Sequence, residues 1–237
     1  MRRLTFLGTG DALNGERAQS SLALPLSGEE TMLIDASSGT VLLGRLEAAG
    51  IPLENVRHLF LSHRHFDHVG GFAPLLATLA SLPEASLLVY AAPDTLRALR
   101  NLLDLTLPGA EGWLGKRLGW RELIPGKPTE VGGTEVTPFS LDHGLECVGF
   151  RIAQAGAVAV FTSDTRPTQE IVENAKVPIL VDAGATPTTA STLTSSSQGP
   201  GEVSAGPRCG DYRTVDDKRF QLHTTQGLGY VARSAIH

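Results

Sequence analysis

Cysteine is scarce in this chain of 237 residues: Cys147 and Cys209 are the only two. They lie far apart and suggest no disulfide framework, which fits two ordinary thiols in a reducing compartment. Long apolar runs are also missing. No stretch approaches the roughly 18 residues of a membrane span. The apolar segment after the basic start of "MRRLTFLGTG" is far too short for a signal peptide. A cytoplasmic protein without membrane contact is the expectation. Positive charge is not in excess either. A formal charge of -5 argues against holding nucleic acid by bulk electrostatics and leaves only a local basic patch. What is present is ordinary globular material, 41% hydrophobic and 19% charged, in a chain long enough to bury a sizeable core.

The first two-thirds read as short apolar strands separated by turns and amphipathic segments. "LTFLG", "SLALPL" and "TMLIDA" have strand character, with "SGEE" as a turn. "SGTVLLGRLEAAGIP" has helical spacing and stops at Gly50 and Pro52. "RHLFLS" is a β-rich run, "GFAPLLATLASLP" a helix and "SLLVYAAP" a buried strand. "DTLRALRNLLDL" carries a helical stripe with Asp94 as its N-cap candidate. Residues 105–133 are rich in Gly and Pro and hold both tryptophans, Trp113 and Trp120, among Lys116, Arg117, Arg121 and Lys127. "TEVTPFSL", "CVGFRIA" and "AVAVFTS" are further strands, followed by the helix "TQEIVENAK" and the strand "PILVDA". This order predicts layered sheets covered by helices, an α/β class. From Thr186 the composition turns to Ser, Thr, Gly and Pro. Three parts are therefore expected: a domain over 1–185, a loop or linker over 186–216, and a closing strand and helix over 217–237.

The chemistry concentrates in "SHRHFDHVGG", residues 62–71. On an extended segment alternate side chains share a face, so His63 and His65 can converge on one point. Asp67 and His68, where the chain turns, can aim at a second point nearby. Neutral imidazoles and a carboxylate are ligands for zinc, iron or manganese in catalytic sites. Gly70 and Gly71 allow a sharp bend and close packing of the following helix. Such a site is open and needs partners from elsewhere. Asp142 and His143 in "FSLDHGLECVGFRI" and Asp164 in "AVFTSDTRP" stand at strand ends and are the candidates, and a carboxylate can bridge two cations roughly 3.5–4 Å apart.

"LGTGDA", "LIDASSGT", "LSHRHFDHVGG", "DHGLECVGFRI" and "TSDTRPT" occur in an order that resembles the metallo-β-lactamase superfamily, most closely its branch of ribonuclease Z and related phosphodiesterases. The resemblance covers roughly residues 3–183. It implies an αββα sandwich, two sheets flanked by helices, with metals at one edge of the sheets. It implies that His63, His65 and His143 bind one divalent ion, Asp67 and His68 the other, and that Asp164 bridges them. Zinc is the expected metal, with manganese and iron as alternatives. Asp67 would also accept a proton near the nucleophile, a water activated between the cations, and Asp35 would orient a ligand histidine. The family has one more histidine late in the chain. His223 in "KRFQLHTT" is the expected ligand and catalytic residue there, with His237 as the alternative.

The resemblance implies a metal-dependent phosphodiesterase, either an endonuclease of the ribonuclease Z kind or an enzyme for a smaller phosphodiester, with homodimers common among the relatives. A thioester or lactone hydrolase on the same fold is a second reading, and a metal-binding relative without turnover a third. Residues 105–128 are the one segment where tryptophans and cations could stack on a nucleic acid; a loop pinned by its tryptophans is the plainer expectation.

Overall fold

The computed structural model describes residues 3–166 and 168–174, and the backbone of three short segments, 179–181, 221–224 and 230–232. The chain opens with β1 (Arg3–Gly8), β2 (Ser21–Pro25) and β3 (Thr31–Ile34), then α1 (Val41–Ala48), β4 (Val56–Phe60), α2 (Phe66–Val69) and α3 (Phe72–Ala80). Next come β5 (Leu87–Ala91), α4 (Pro93–Thr106), α5 (Ala110–Leu114) and β6 (Leu118–Glu122). The second half runs through β7 (Thr129–Val131), β8 (Thr134–Ser140), β9 (Val148–Gln154), β10 (Ala157–Phe161), α6 (Gln169–Asn174), β11 (Ile179–Val181), β12 (Gln221–Thr224) and β13 (Tyr230–Ala232).

These strands form two sheets. One has the order β12-β1-β2-β3-β4-β5-β6, the other β13-β11-β10-β9-β8-β7. Alternation along the central strands shows how the layers stack. Leu33, Leu59 and Val89 point to a helix-side core shared with Leu42, Phe72, Leu76 and Leu99. Their neighbours Ile34, Phe60 and Tyr90 point the other way, into a core between the sheets with Leu22, Phe150 and Phe161. A third small core seats Ile171 of α6 on Phe139 and Val160. The expected helix–sheet–sheet–helix sandwich is present, and β3, covered on both faces, is buried at every position. No helix among the described residues is long and apolar enough to cross a membrane.

Several expectations need correction. Asp94 does not cap α4. Ala92 is the N-cap and Pro93 takes the first helical position, where its fixed φ and missing N–H cost nothing. The Gly- and Pro-rich segment 105–133 is largely ordered: β6 extends the first sheet beside β5, and Trp120 packs on Phe72 with the Arg100 guanidinium 5.0 Å over its ring. Arg117 donates to the carbonyls of Leu82 and Ala85. The tryptophan and cation that suggested a stacking surface are therefore spent on the fold. The closing helix is not found at Tyr230–Ala232, where the backbone pairs antiparallel with β11 instead. An open strand edge offered ladder hydrogen bonds there, and the segment's β-branched and aromatic residues suit a strand. The Ser/Thr-rich stretch 186–216 lies outside the described residues.

The sheet-to-sheet core has a clear centre. Phe60 stacks on Tyr90 at 4.1 Å between ring centroids and meets Phe150 edge-on at 5.9 Å. Phe60→Ala should therefore lower the unfolding free energy by about 3–5 kcal/mol, measured by urea denaturation. A loss below about 1 kcal/mol would remove Phe60 from the core that joins the sheets.

Candidate metal centre

Strand β4 runs parallel to β3 and β5, so its C-terminal end delivers residues 62–68 to one edge of the sandwich. The chain then turns back through α2 into α3. Gly71 is where that turn touches β3: a Cβ on it would stand 2.1 Å from the Ala36 carbonyl oxygen. Only glycine fits, and the close approach holds α2 over the end of β3. The Ala36 N–H reciprocates by donating to the His68 carbonyl at 2.7 Å.

Asp35, at the end of β3, holds this edge together. It is fully buried and its backbone is left-handed, φ +57°, a conformation that aspartate tolerates better than most residues. Its Oδ1 accepts the Ser62 N–H at 2.8 Å, and its Oδ2 accepts the Ser62 hydroxyl at 2.8 Å and His68 Nδ1 at 2.7 Å. A carboxylate only accepts, so His68 carries its proton on Nδ1 and turns Nε2 toward the cluster. The Ser62 hydroxyl commits its hydrogen to the bond with Asp35. It therefore accepts from His63 Nδ1 at 3.0 Å, and His63 too presents Nε2. The expected orienting role of Asp35 thus has a specific geometry. Ser62 was not among the expected residues; the hydroxyl immediately before the first histidine was the available signal.

Two groups of donor atoms result. His63, His65, His143 and Asp164 place one ligand atom each within 4.8 Å of one another, as do Asp67, His68 and Asp164. Separations inside the first are 3.0 Å from His63 Nε2 to His65 Nδ1, 3.1 Å from His65 Nδ1 to His143 Nε2 and 3.8 Å from His143 Nε2 to Asp164 Oδ2. In the second, His68 Nε2 lies 3.3 Å from Asp67 Oδ2 and 3.7 Å from Asp164 Oδ2. Ligands about 2.1 Å from a tetrahedral ion are about 3.4 Å apart, so both groups fit a divalent cation of zinc size. The donor chemistry, imidazole and carboxylate, suits zinc, manganese or iron.

Charge agrees with that fit. Burial, reinforced by His68, pushes the His63 imidazole down to about 2, so it stays neutral with its lone pair free. Burial lowers His143 as well. For His68 burial acts the same way but is overcome by Asp35, with Asp164 and Asp67 also facing the ring, and its pKa is well above the usual value. A proton on His68 Nε2 and a cation would occupy the same place between Asp67 and Asp164. Burial is the largest influence and would raise both of those carboxyls, but the His68 hydrogen bond and charge, with smaller contributions from the neighbouring groups, together outweigh it and lower each.

Every expected residue inside the described side chains joins this constellation: His63, His65, Asp67, His68, His143, Asp164 and, behind them, Asp35. His223 stands in β12, its backbone opposite Thr5 of β1, three residues before the level of Gly8, and β12 is four strands along the sheet from β4. Its side chain, and His237 altogether, lie outside the described residues.

A family model described as "Anti-Pycsar protein Apyc1" matches residues 2–190. Ribonuclease Z of Methanopyrus kandleri is 31% identical over 150 residues, covering 63% of this chain and 49% of that protein. The chain spans about half the length of the first curated relatives it matches. Among solved structures, the metallo-β-lactamase fold protein YhfI from Bacillus subtilis superposes with TM-score 0.60 at 21% identity, covering 73% of this chain and 66% of that one. Zn2+-bound PqqB from Methylobacterium extorquens gives 0.59 at 20% identity, with 77% and 70% coverage. The fold is that of the metallo-β-lactamases.

Cys147 sits behind the cluster, its thiol donating to the Asp164 carbonyl at 3.6 Å. Burial, with Asp35 nearby, pushes its pKa up to about 12. The thiol should stay protonated and resist iodoacetamide up to about pH 9 in the folded protein, then react on unfolding, as read by peptide mapping. Rapid native alkylation at pH 8 would contradict the burial. Asp35→Asn keeps an oxygen for Ser62 but loses the charge facing His68, and should weaken zinc affinity by about 10- to 100-fold in a competition titration with a chelator dye. Unchanged affinity would show that Asp35 does not orient the ligands.

Proposed function

The chain belongs to the family described as Anti-Pycsar protein Apyc1, and from that premise we propose that it is a metal-dependent phosphodiesterase acting on RNA or on a smaller phosphodiester. One observation carries the reading: Asp164 belongs to both donor groups. A shared carboxylate is what a two-cation centre requires, and a two-cation centre suits in-line displacement at phosphorus.

We assign His63, His65 and His143 to one cation, Asp67 and His68 to the other, and Asp164 to both; zinc is the metal we expect. When bound, such ions lower the pKa of a coordinated water toward neutrality and neutralise charge on phosphoryl oxygens. The chain's own residues do the rest. Asp35 and Ser62 fix the Nδ1 protons of His68 and His63, so neither of these two imidazoles must turn before the reaction. Asp67, one oxygen of which faces His68 Nε2 at 3.3 Å, offers its other oxygen to take the proton of the attacking water. His65 is the most exposed member, with His143 and Asp164 half-buried beside it, so substrate approaches from their side. His223 is outside the ligand set we propose, because its strand runs four places from β4. The homodimer belongs to the same proposal and is checked by light scattering.

Elemental analysis should find two divalent ions per chain, falling to one or fewer in His143→Ala and staying at two in His223→Ala. Loss of an ion in His223→Ala would return that residue to the site. With zinc or manganese added, bis(p-nitrophenyl) phosphate should be hydrolysed in preference to a thioester, and Asp67→Ala should lower kcat by at least about 100-fold. Preference for the thioester would overturn the bond type.

A further inference from the structure

Beside the cluster lies an open pocket of about 310 Å³ that none of the proposed ligands lines. Its walls come from the C-terminal end of β6 and the residues after it (Glu122, Leu123), the end of β8 and its loop (Leu141, Leu145, Glu146), and the start of α4. Because β4, β5 and β6 are parallel, their C-terminal ends open on one edge, and the crevice outside that edge is where α/β sheets bind ligands. With strands about 4.8 Å apart, β5 and β6 place the pocket roughly 5–10 Å along the edge from the end of β4.

The pocket and the cluster share a wall. His143 rides on the loop 141–147, whose Leu141, Leu145, Glu146 and Cys147 face the pocket. Val148, also lining it, donates its N–H to the carbonyl of Ser62, the residue before His63, at 3.0 Å. The Glu146 Oε2 takes the Asp94 N–H at 2.8 Å, which fixes that carboxylate at the start of α4. The lining is otherwise chiefly apolar, with two carboxylates, Glu122 and Glu146, and no Lys, Arg or His.

We propose that this pocket is the subsite for the ester substituent that the phosphoryl group keeps when the leaving group departs, and that it selects a single uncharged ring bearing hydrogen-bond donors. The proposal rests on the phosphodiesterase reading. It narrows the substrate to a small diester, since a volume near the lower end of ligand pockets takes one ring system and its linker. Two carboxylates without a cation repel a further phosphate. At about 5 Å each disfavours an anion by roughly 4-fold even at the dielectric constant of water, and together they do so by about 10-fold or more. The same oxygens accept from an amino group, while Leu141 and Leu145 cover a ring's faces.

The test compares two diesters that release the same p-nitrophenol, 4-aminophenyl 4-nitrophenyl phosphate and 4-carboxyphenyl 4-nitrophenyl phosphate, with the full chain and added zinc. The amino ester should have the higher kcat/KM by about 10-fold. Glu146→Gln, which keeps an oxygen for the Asp94 N–H, should narrow that ratio to about 3-fold. Leu145→Trp, which fills the pocket, should raise KM for the amino ester by about 10-fold. Equal rates for the two esters, or a ratio that Glu146→Gln leaves unchanged, would overturn the subsite. Methyl 4-nitrophenyl phosphate places no ring in the pocket. If neither it nor the aryl diesters are cleaved, the phosphodiesterase reading fails on its own. Calorimetric titration with 4-aminophenyl and 4-carboxyphenyl phosphate then decides the pocket without turnover: tighter binding of the amino compound, weakened by Leu145→Trp, upholds it, and equal binding overturns it.

Discussion

The Asp35 carboxylate is the constraint on which the metal edge depends. It ends one central strand, receives the backbone and hydroxyl of Ser62 at the end of the next, and holds the His68 ring of the turn that follows. Three chain segments thus meet on one buried group. Their hydrogen bonds also decide which nitrogen of each buried histidine is free. Removing the carboxylate would leave a buried serine and a buried imidazole without their acceptor, a cost of the order of 1–3 kcal/mol for each group. The strained φ of Asp35 is consistent with that role, since such a backbone persists where surrounding structure holds it in place.

Function follows from where this clamp sits. Parallel strands covered on both faces carry their termini to one edge, and the edge is the only part of β3, β4 and β5 not committed to packing. Ligands gather there from the turn after β4, from the loop between β8 and β9, and from the segment after β10. The two sheets therefore both contribute. Interlocking of Phe60, Tyr90 and Phe150 between them fixes the distance from His63 to His143 and Asp164.

Much of this was legible in the sequence, for physical reasons that differ by residue. His63, His65, Asp67 and His68 are close in sequence, so their convergence needs only local geometry. His143 and Asp164 are about 80 and 100 residues further on. Nothing local joins them to the cluster; the resemblance supplied the pairing, and sheet packing realises it. Ser62 was missed because a serine hydroxyl has no distinctive pattern, and its value appears only with Asp35 across the strand pair. β6 was missed because its glycine and charged residues mask a strand that tertiary pairing with β5 stabilises. Trp120 and Arg117 misled in the opposite sense: their apparent nucleic-acid chemistry is consumed by the core and by backbone carbonyls.

The central claim is that Asp164 joins two cation sites assembled on the Asp35 clamp. Anomalous diffraction from zinc-soaked crystals, collected on either side of the zinc edge, tests it directly. The account predicts two peaks about 3.5–4 Å apart, one against His63, His65 and His143, the other against Asp67 and His68, with the Asp164 carboxylate between them. A single peak, or two peaks of which neither touches Asp164, would contradict it.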